Sequence, residues 1–280
     1  MDEATTLRNK HLGSLSKLSR LEGPEMALDR GMALIAAHEQ PWINPDDLLG
    51  DLDRLTDGLH VPEDRDPVEQ VARLNHHLFQ TLGFAGEEDD YDAPINSMLD
   101  RVLERRRGLP ILLSAIYMEV ARRVGVGIDG VGFPGHFVVR PSNSDEPFFI
   151  DAFRRGRIHR WDDMLLQLAR FMDRPLHQIP SPEKYLEQVS SREILDRMNR
   201  NLKFSSRRRK VAEGALRAVD RLLVFEPGLA TERRDRGLLL LELERPDKAL
   251  QELRRYLHEH PEGEDFTAME QLLAELEANN

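Results

Sequence analysis

Apolar residues recur at helical spacing along most of this chain, interrupted once by a stretch whose apolar runs are short and rich in valine, isoleucine and phenylalanine. Pro24 can open a helix at its first position, where its missing N–H costs nothing, and residues 26–37 then carry a mostly apolar stripe. Asn44-Pro45 and Asp66-Pro67 are two more starts, each a capping side chain followed by proline in the first turn. Leu48, Leu52, Leu55 and Leu59 share one face after the first. Val68, Val71, Leu74 and Leu78 form the expected buried face after the second, and Gly83 ends that helix. The acidic stretch 86–92 reads as a loop. Asn96 or Ser97 should cap the next helix, which buries Met98, Leu99, Val102 and Leu103 and stops at Gly108. Pro110 starts another, running to about Gly125. Its Ile111, Leu112, Leu113, Ile116, Val120 and Val124 cover so wide an arc that this helix should be central.

The texture then changes. Residues 131–133, 137–140 and 148–150 are strand signals, separated by glycine, proline and Ser-Asn-Ser-Asp, with a hairpin expected around 142–146. Gly156 and Ile158 fall where one more short strand fits. Helices first and an antiparallel sheet after them make an α+β arrangement. From Trp161 the chain is helical again, and the three prolines of 175–182 mark a linker. Beyond it lies an internal repeat. Ala215-Leu216 matches Ala249-Leu250, Val219 matches Leu253, Arg221 matches Arg255 and Pro227 matches Pro261, always 34 residues apart. That period, with a small residue in the second helix and a proline after it, is the tetratricopeptide signature. Gly237 stands at the small position of the first helix, whereas Asn199 and Arg233 replace its large aromatic. Two such units cannot bury a solenoid core alone, so they should pack against the first domain or a partner.

Composition narrows the function classes. The 280 residues are 40% hydrophobic and 32% charged, a globular balance with ample length for a core. A net charge of −11 disfavours nucleic acid as a partner. The runs Arg105-Arg106-Arg107 and Arg207-Arg208-Arg209-Lys210 sit in helical patterns with acidic neighbours and read as solvated faces. No eighteen-residue apolar stretch and no signal core at Met1-Asp2-Glu3-Ala4 is present, so a cytoplasmic protein with no membrane partner is expected. The chain has no cysteine, which excludes disulfides, thiolate metal sites and a cysteine nucleophile. His76 and His77 are adjacent and point about 100° apart on a helix, there is no His-Glu-x-x-His, and no metal or other cofactor is expected. Trp42 and Trp161 read as packing residues at domain seams, and Leu238 to Leu241 as helix core.

Three pieces could carry chemistry: Arg107-Gly108-Leu109-Pro110 at the entrance to the central helix, Gly132-Phe133-Pro134-Gly135-His136-Phe137 with His136 opening a strand, and Phe149-Ile150-Asp151-Ala152-Phe153 with Asp151 ending one. A helix N-terminus facing a histidine on one strand and an aspartate on the next is the layout of papain-like and transglutaminase-like catalysis. There the helix dipole and the imidazolium lower a cysteine's pKa, the histidine moves the proton and the aspartate holds its tautomer.

These motifs, with Tyr91-Asp92-Ala93-Pro94-Ile95-Asn96-Ser97-Met98-Leu99 before them, resemble the SirB1 family of bacterial transglutaminase-like proteins. The resemblance spans roughly residues 25–165 and extends less specifically into the repeats; a similar domain occurs in certain eukaryotic F-box proteins, which suggests a binding use. It implies a papain/transglutaminase-like core, helices plus a small antiparallel sheet; with the N-terminal helices and the three-proline linker this domain is expected over 1–180, and the 34-residue repeat gives an all-α tetratricopeptide-like segment over 181–280. It also implies His136 at the catalytic histidine position, Asp151 at the aspartate position and, counting back from Gly125, Pro110 where the cysteine would stand. The family generally lacks that cysteine, so the expectation is a non-catalytic interaction or regulatory protein with a protein or peptide partner on the C-terminal helices. The alternative is a hydrolase or acyltransferase that uses Ser114, one turn beyond Pro110 on the same face, or a water activated by His136. A serine so placed more often bonds the backbone carbonyl one turn back, and a buried His–Asp pair can simply lock two strands.

Overall fold

A computed structural model describes residues 2–62, 66–144 and 146–278. The chain begins with a helix that the apolar pattern does not announce, α1 (Glu3–Leu18), capped by Asp2, whose carboxylate accepts the Thr5 amide at 2.7 Å. Only His11, Leu15 and Leu18 are buried on it, too sparse a stripe to stand out in sequence. Helix α2 (Leu28–Glu39) packs beside it and is buried almost all round. The caps of α3 (Pro45–Arg54) and α4 (Pro67–Asn75) are as expected, with Asn44 accepting from the Asp46 amide and Asp66 from the Val68 amide. Helix α4 runs on through a π turn, His76–Thr81, and Gly83 ends it with φ +77°.

Several details differ from expectation. Val68 is 58% exposed, since it sits in the first turn of α4 before the helix meets the core at Val71 and Leu74. Trp42 is 65% exposed in the α2–α3 turn and seals no seam. Neither Asn96 nor Ser97 caps α5 (Leu99–Arg105); its N-cap is Met98, with no side-chain bond. Asn96 is instead buried, donating to the carbonyls of Asp90 (2.7 Å) and Tyr91 (3.2 Å) and accepting from Arg105. The turn that stops α5 is made by Arg106 at φ 58°, while Gly108 belongs to a two-residue strand, β2 (Arg107–Gly108), parallel to β1 (Ala85–Gly86).

Helix α6 (Pro110–Arg123) is the central helix, with eleven of its residues buried. After Gly125, β3 (Ile128–Val131), β4 (Val138–Pro141), β5 (Phe148–Asp151) and β6 (Arg157–Arg160) form an antiparallel meander in sequence order. Asp145, in the β4–β5 connection, lies outside the described residues. Alternation along the strands divides two cores: Phe137, Val139 and Ile150 join the large core around α6, whereas Val138 and Phe149 face the other way. That second face is covered by α7 (Trp161–Phe171), through Met164 and Leu168, and by Ile179 and Leu186 from the three-proline segment and its sequel. Trp161 packs there, 5.8 Å from the Phe149 ring.

The C-terminal half is α8 (Ser191–Arg208), α9 (Ala212–Phe225), α10 (Ala230–Glu242), α11 (Pro246–Glu259) and α12 (Phe266–Ala278). A Cβ on Gly237 would come within 2.8 Å of Leu253, which is why the first helix of the second unit needs its small residue there. The first unit packs against α1, α2 and α6. At that junction Arg221 is fully buried and donates to Glu39, to Asn199 (2.6 Å) and to Nδ1 of His38 (2.7 Å). Both basic runs are engaged with neighbours: Arg105 with Glu87, Arg106 over the Phe84 ring, Arg207 with Glu242, Arg208 with Asp92 and Arg209 with Asp90.

Candidate functional site

His136 sits in the turn before β4 rather than in the strand itself. Its amide donates to the Phe133 carbonyl at 3.0 Å, closing a turn with Pro134 second and Gly135, φ +69°, third. Proline presets the second position of such a turn and glycine tolerates the positive φ of the third. A Cβ on Gly135 would also run into the ring of Phe171, so the turn and the end of α7 are in intimate contact. Asp151 ends β5, and the following turn feeds back on it: the Arg154 amide donates to Oδ1 at 3.1 Å.

The two strand ends bring His136 Nε2 to 2.8 Å from Asp151 Oδ2. Asp151 is 2% exposed. Burial opposes its ionisation, but the bonds from His136 and the Arg154 amide, with the attraction of the His136 and His159 rings, outweigh it and hold the carboxyl below the ordinary range. An ionised carboxylate only accepts, so Nε2 carries the proton and, in the neutral ring, Nδ1 presents its lone pair. Phe153 stands edge-on to the imidazole at 6.3 Å, and Tyr91 edge-on to Phe153 at 5.9 Å. A second histidine, His159 on β6, lies 4.0 Å from Asp151 and accepts from Gln167; burial, aided by Arg157, lowers its pKa against the pull of Asp151.

These groups line a cleft of about 680 Å³ that also takes in Pro110, Ile158, Leu166, Arg170 and Phe171. Pro110 is the first residue of α6, with Leu109 as an N-cap that makes no side-chain bond. The Leu109 amide donates to the Asn96 carbonyl at 3.0 Å, and Asn96 ties down the loop carrying Tyr91, so one buried asparagine positions the α6 entrance and one cleft wall. From α8, Arg197 reaches the turn: its guanidinium donates to the carbonyls of His136 (2.7 Å) and Phe133 (3.2 Å) and lies 5.6 Å from the Phe137 ring. Burial lowers the Arg197 pKa, with Tyr91 opposing.

The profile of the transglutaminase-like superfamily matches residues 46–200, and that of the tetratricopeptide repeat matches 202–274. The chain belongs to the transglutaminase-like superfamily. A UPF0162 protein of Xylella fastidiosa is 39% identical over 198 residues, 69% of this chain and 68% of that one. Protein SirB1 of Salmonella typhimurium is 28% identical over 196 residues, 69% of this chain and 71% of its own. F-box only protein 21 of Homo sapiens is 29% identical over 124 residues, 41% of this chain but 20% of that protein. No solved structure matches.

In this transglutaminase-like chain no cysteine exists. Ser114 is fully buried, is not part of the cleft lining, and its Oγ makes no hydrogen bond, so the expected bond to the preceding turn is absent. The helix face that holds it points into the core. Among the described residues no cluster of three metal-ligating side chains occurs, and His77 is used in bonding the Leu55 carbonyl at 2.7 Å. No helix among them is long and apolar enough to cross a membrane. The repeat helices give the chain a capacity for protein–protein interaction. Arg197, Arg157, Arg170, Leu166 and Phe171 escape a sequence reading. A lone arginine on a helix or a strand carries no motif, though apolar residues on two faces of α7 are a visible signal.

Proposed function

We propose that this is a non-catalytic interaction protein in which a transglutaminase-like cleft and the C-terminal repeat helices hold a protein partner. The observation that carries this reading is Pro110: the residue lining the cleft at the start of α6, beside the His136–Asp151 pair, has no nucleophile, in a chain with no cysteine. His136 and Asp151 then serve as vestigial positions that shape the cleft, and Ser114 as core. The competing reading is a hydrolase in which Nδ1 of His136 takes a proton from water, and the free lone pair is what favours it.

One set of assays separates them. The full chain and His136→Ala are compared for amine incorporation into a glutamine donor protein, for ester and amide hydrolysis, and for labelling by a fluorophosphonate probe. No turnover or labelling above the variant is expected. Activity present in the natural chain and lost in His136→Ala refutes the non-catalytic reading. A partner should be captured by the intact chain and lost when the chain is ended before α10; capture that depends on neither the cleft nor the repeats removes the binding half.

A further inference from the structure

Helix α7 is apolar on two sides. Met164 and Leu168 enter the core beneath the sheet, whereas Leu166 and Phe171 are 55% and 60% exposed and line the cleft beside His136. Ile158 at 47% and Tyr91 at 44% belong to the same lining. Burying such side chains is what apolar binding surfaces do, and an unpartnered cluster of them marks an interaction site. Because they are half open to solvent, they suit a chain laid along the cleft better than a small molecule, which a pocket encloses over most of its surface.

The charge of this surface is opposite to that of the chain. Arg157 and Arg170 line the cleft, both are exposed, and among the described residues neither makes an ion pair. The lining carries Arg154, Arg157 and Arg170 against two carboxylates: Asp151, held by His136 and the Arg154 amide, and Asp163, which accepts the Arg160 amide and keeps its charge. The arginines outnumber the carboxylates there, in a protein of net −11. Guanidinium forks pair with carboxylates, and apolar neighbours strengthen that pairing by excluding water. Arg157 and Ile158 lie on β6, the outer strand of the sheet, which pairs only with β5 among the described residues. An outer strand is a template for an extended chain.

We infer that the cleft beside His136 docks an extended segment of a partner protein that carries an acidic side chain next to a large apolar one, the carboxylate on Arg157 and Arg170 and the apolar group on Leu166 and Phe171. The inference rests on the reading that the cleft binds rather than catalyses, and it names the chemistry of the occupant.

The test is a selection from a random octapeptide display library against the full chain, Arg157→Ala/Arg170→Ala and Phe171→Ala, with thermal midpoints checking that each variant is folded. Aspartate or glutamate beside a leucine, phenylalanine or similar residue should be enriched on the natural chain and not on the double variant. A selected peptide, blocked at both ends, should bind the double variant at least about tenfold more weakly, the factor that corresponds to about 1.4 kcal/mol. Its amide counterpart, with Asn or Gln for the acid, should lose as much against the natural chain. Peptides enriched without acidic residues but lost on Phe171→Ala overturn the acidic class and leave the binding cleft standing. Enrichment indifferent to both variants overturns the cleft as the binding surface, and with it the reading on which this inference rests.

Discussion

Replacing Arg197 by methionine should both destabilise the protein and loosen the turn that carries His136. Methionine keeps an apolar stem of similar length and removes every donor. The His136 carbonyl loses a 2.7 Å bond from a charged donor, and the Phe133 carbonyl loses two longer ones while keeping the His136 amide. Bonds to charged groups contribute roughly 1.5–3 kcal/mol and ordinary ones roughly 0.5–1.5. Burial of a guanidinium with no carboxylate partner among the described residues costs part of that back, and burial is indeed what lowers the Arg197 pKa. The net expectation is a loss of about 2–4 kcal/mol, or roughly 3–7 °C in midpoint for a chain of this size. Urea unfolding at neutral pH measures the energy, and the His136 ring resonances in an NMR spectrum report the turn. Arg197→Lys should recover only part of the stability, because an ammonium cannot span both carbonyls as the guanidinium fork does. Stability within about 0.5 kcal/mol of the natural chain, a change no larger than that of an ordinary surface substitution, together with unshifted His136 resonances, would refute the idea that α8 positions this turn.

Two further outcomes follow from the packing. Burial first, then the charges of Arg221 and Arg217, hold His38 well below its ordinary pKa of 6.5. The unfolded chain therefore binds a proton that the folded one refuses, and stability falls as pH drops below 6.5, by at most ~1.4 kcal/mol per pH unit from this group. Denaturation curves at pH 7.5 and 5.5 should show about 1 kcal/mol less acid loss in His38→Gln than in the natural chain; equal losses contradict the assignment. Gly135→Ala forces a side chain to φ +69° and into the Phe171 ring. A cost of roughly 1–2 kcal/mol is expected from the backbone alone; adding Phe171→Ala should recover the steric part and not the rest, and full recovery would mean that the positive φ is not a constraint.

How much of this was legible depends on how local the cause is. Caps such as Asn44-Pro45 and Asp66-Pro67 act within four residues, so the sequence displays them directly. The alternation that sends Val138 and Val139 to different cores is equally local, and the α+β order with its antiparallel sheet follows from it. Asn96 shows where this fails. An asparagine ahead of an apolar run is a good cap by local rules, but here its side chain is taken by the Asp90 and Tyr91 carbonyls and by Arg105. The same residue type, in the same place, answers to a loop that folds back on it. Trp42 fails differently: a tryptophan beside proline reads as a seam residue, yet it stands 65% exposed.

The repeat carries the argument further, because its matched positions differ in what surrounds them. Asn199 and Arg233 are 34 residues apart and both replace the large aromatic that such helices carry. Each is buried, yet neither packs as an aromatic would: Asn199 accepts from Arg221, and Arg233 donates to the Pro227 carbonyl and pairs with Glu252 and Glu259. Arg221 and its match Arg255 diverge completely. Arg221 is fully buried against Glu39 and His38 of α2, while Arg255 stands in solvent with Glu259. A polar network of that kind is costly unless every member is satisfied, so it ties the first unit to α2 in one geometry. Arg197, on the same α8 as Asn199, holds the His136 turn from the other side. The first repeat unit thus braces both the N-terminal helices and the cleft, and a partner that displaced it would be felt at His136. Among the described residues α12 has no buried residue, so it is the part of the repeat whose sequence can answer to something other than this fold.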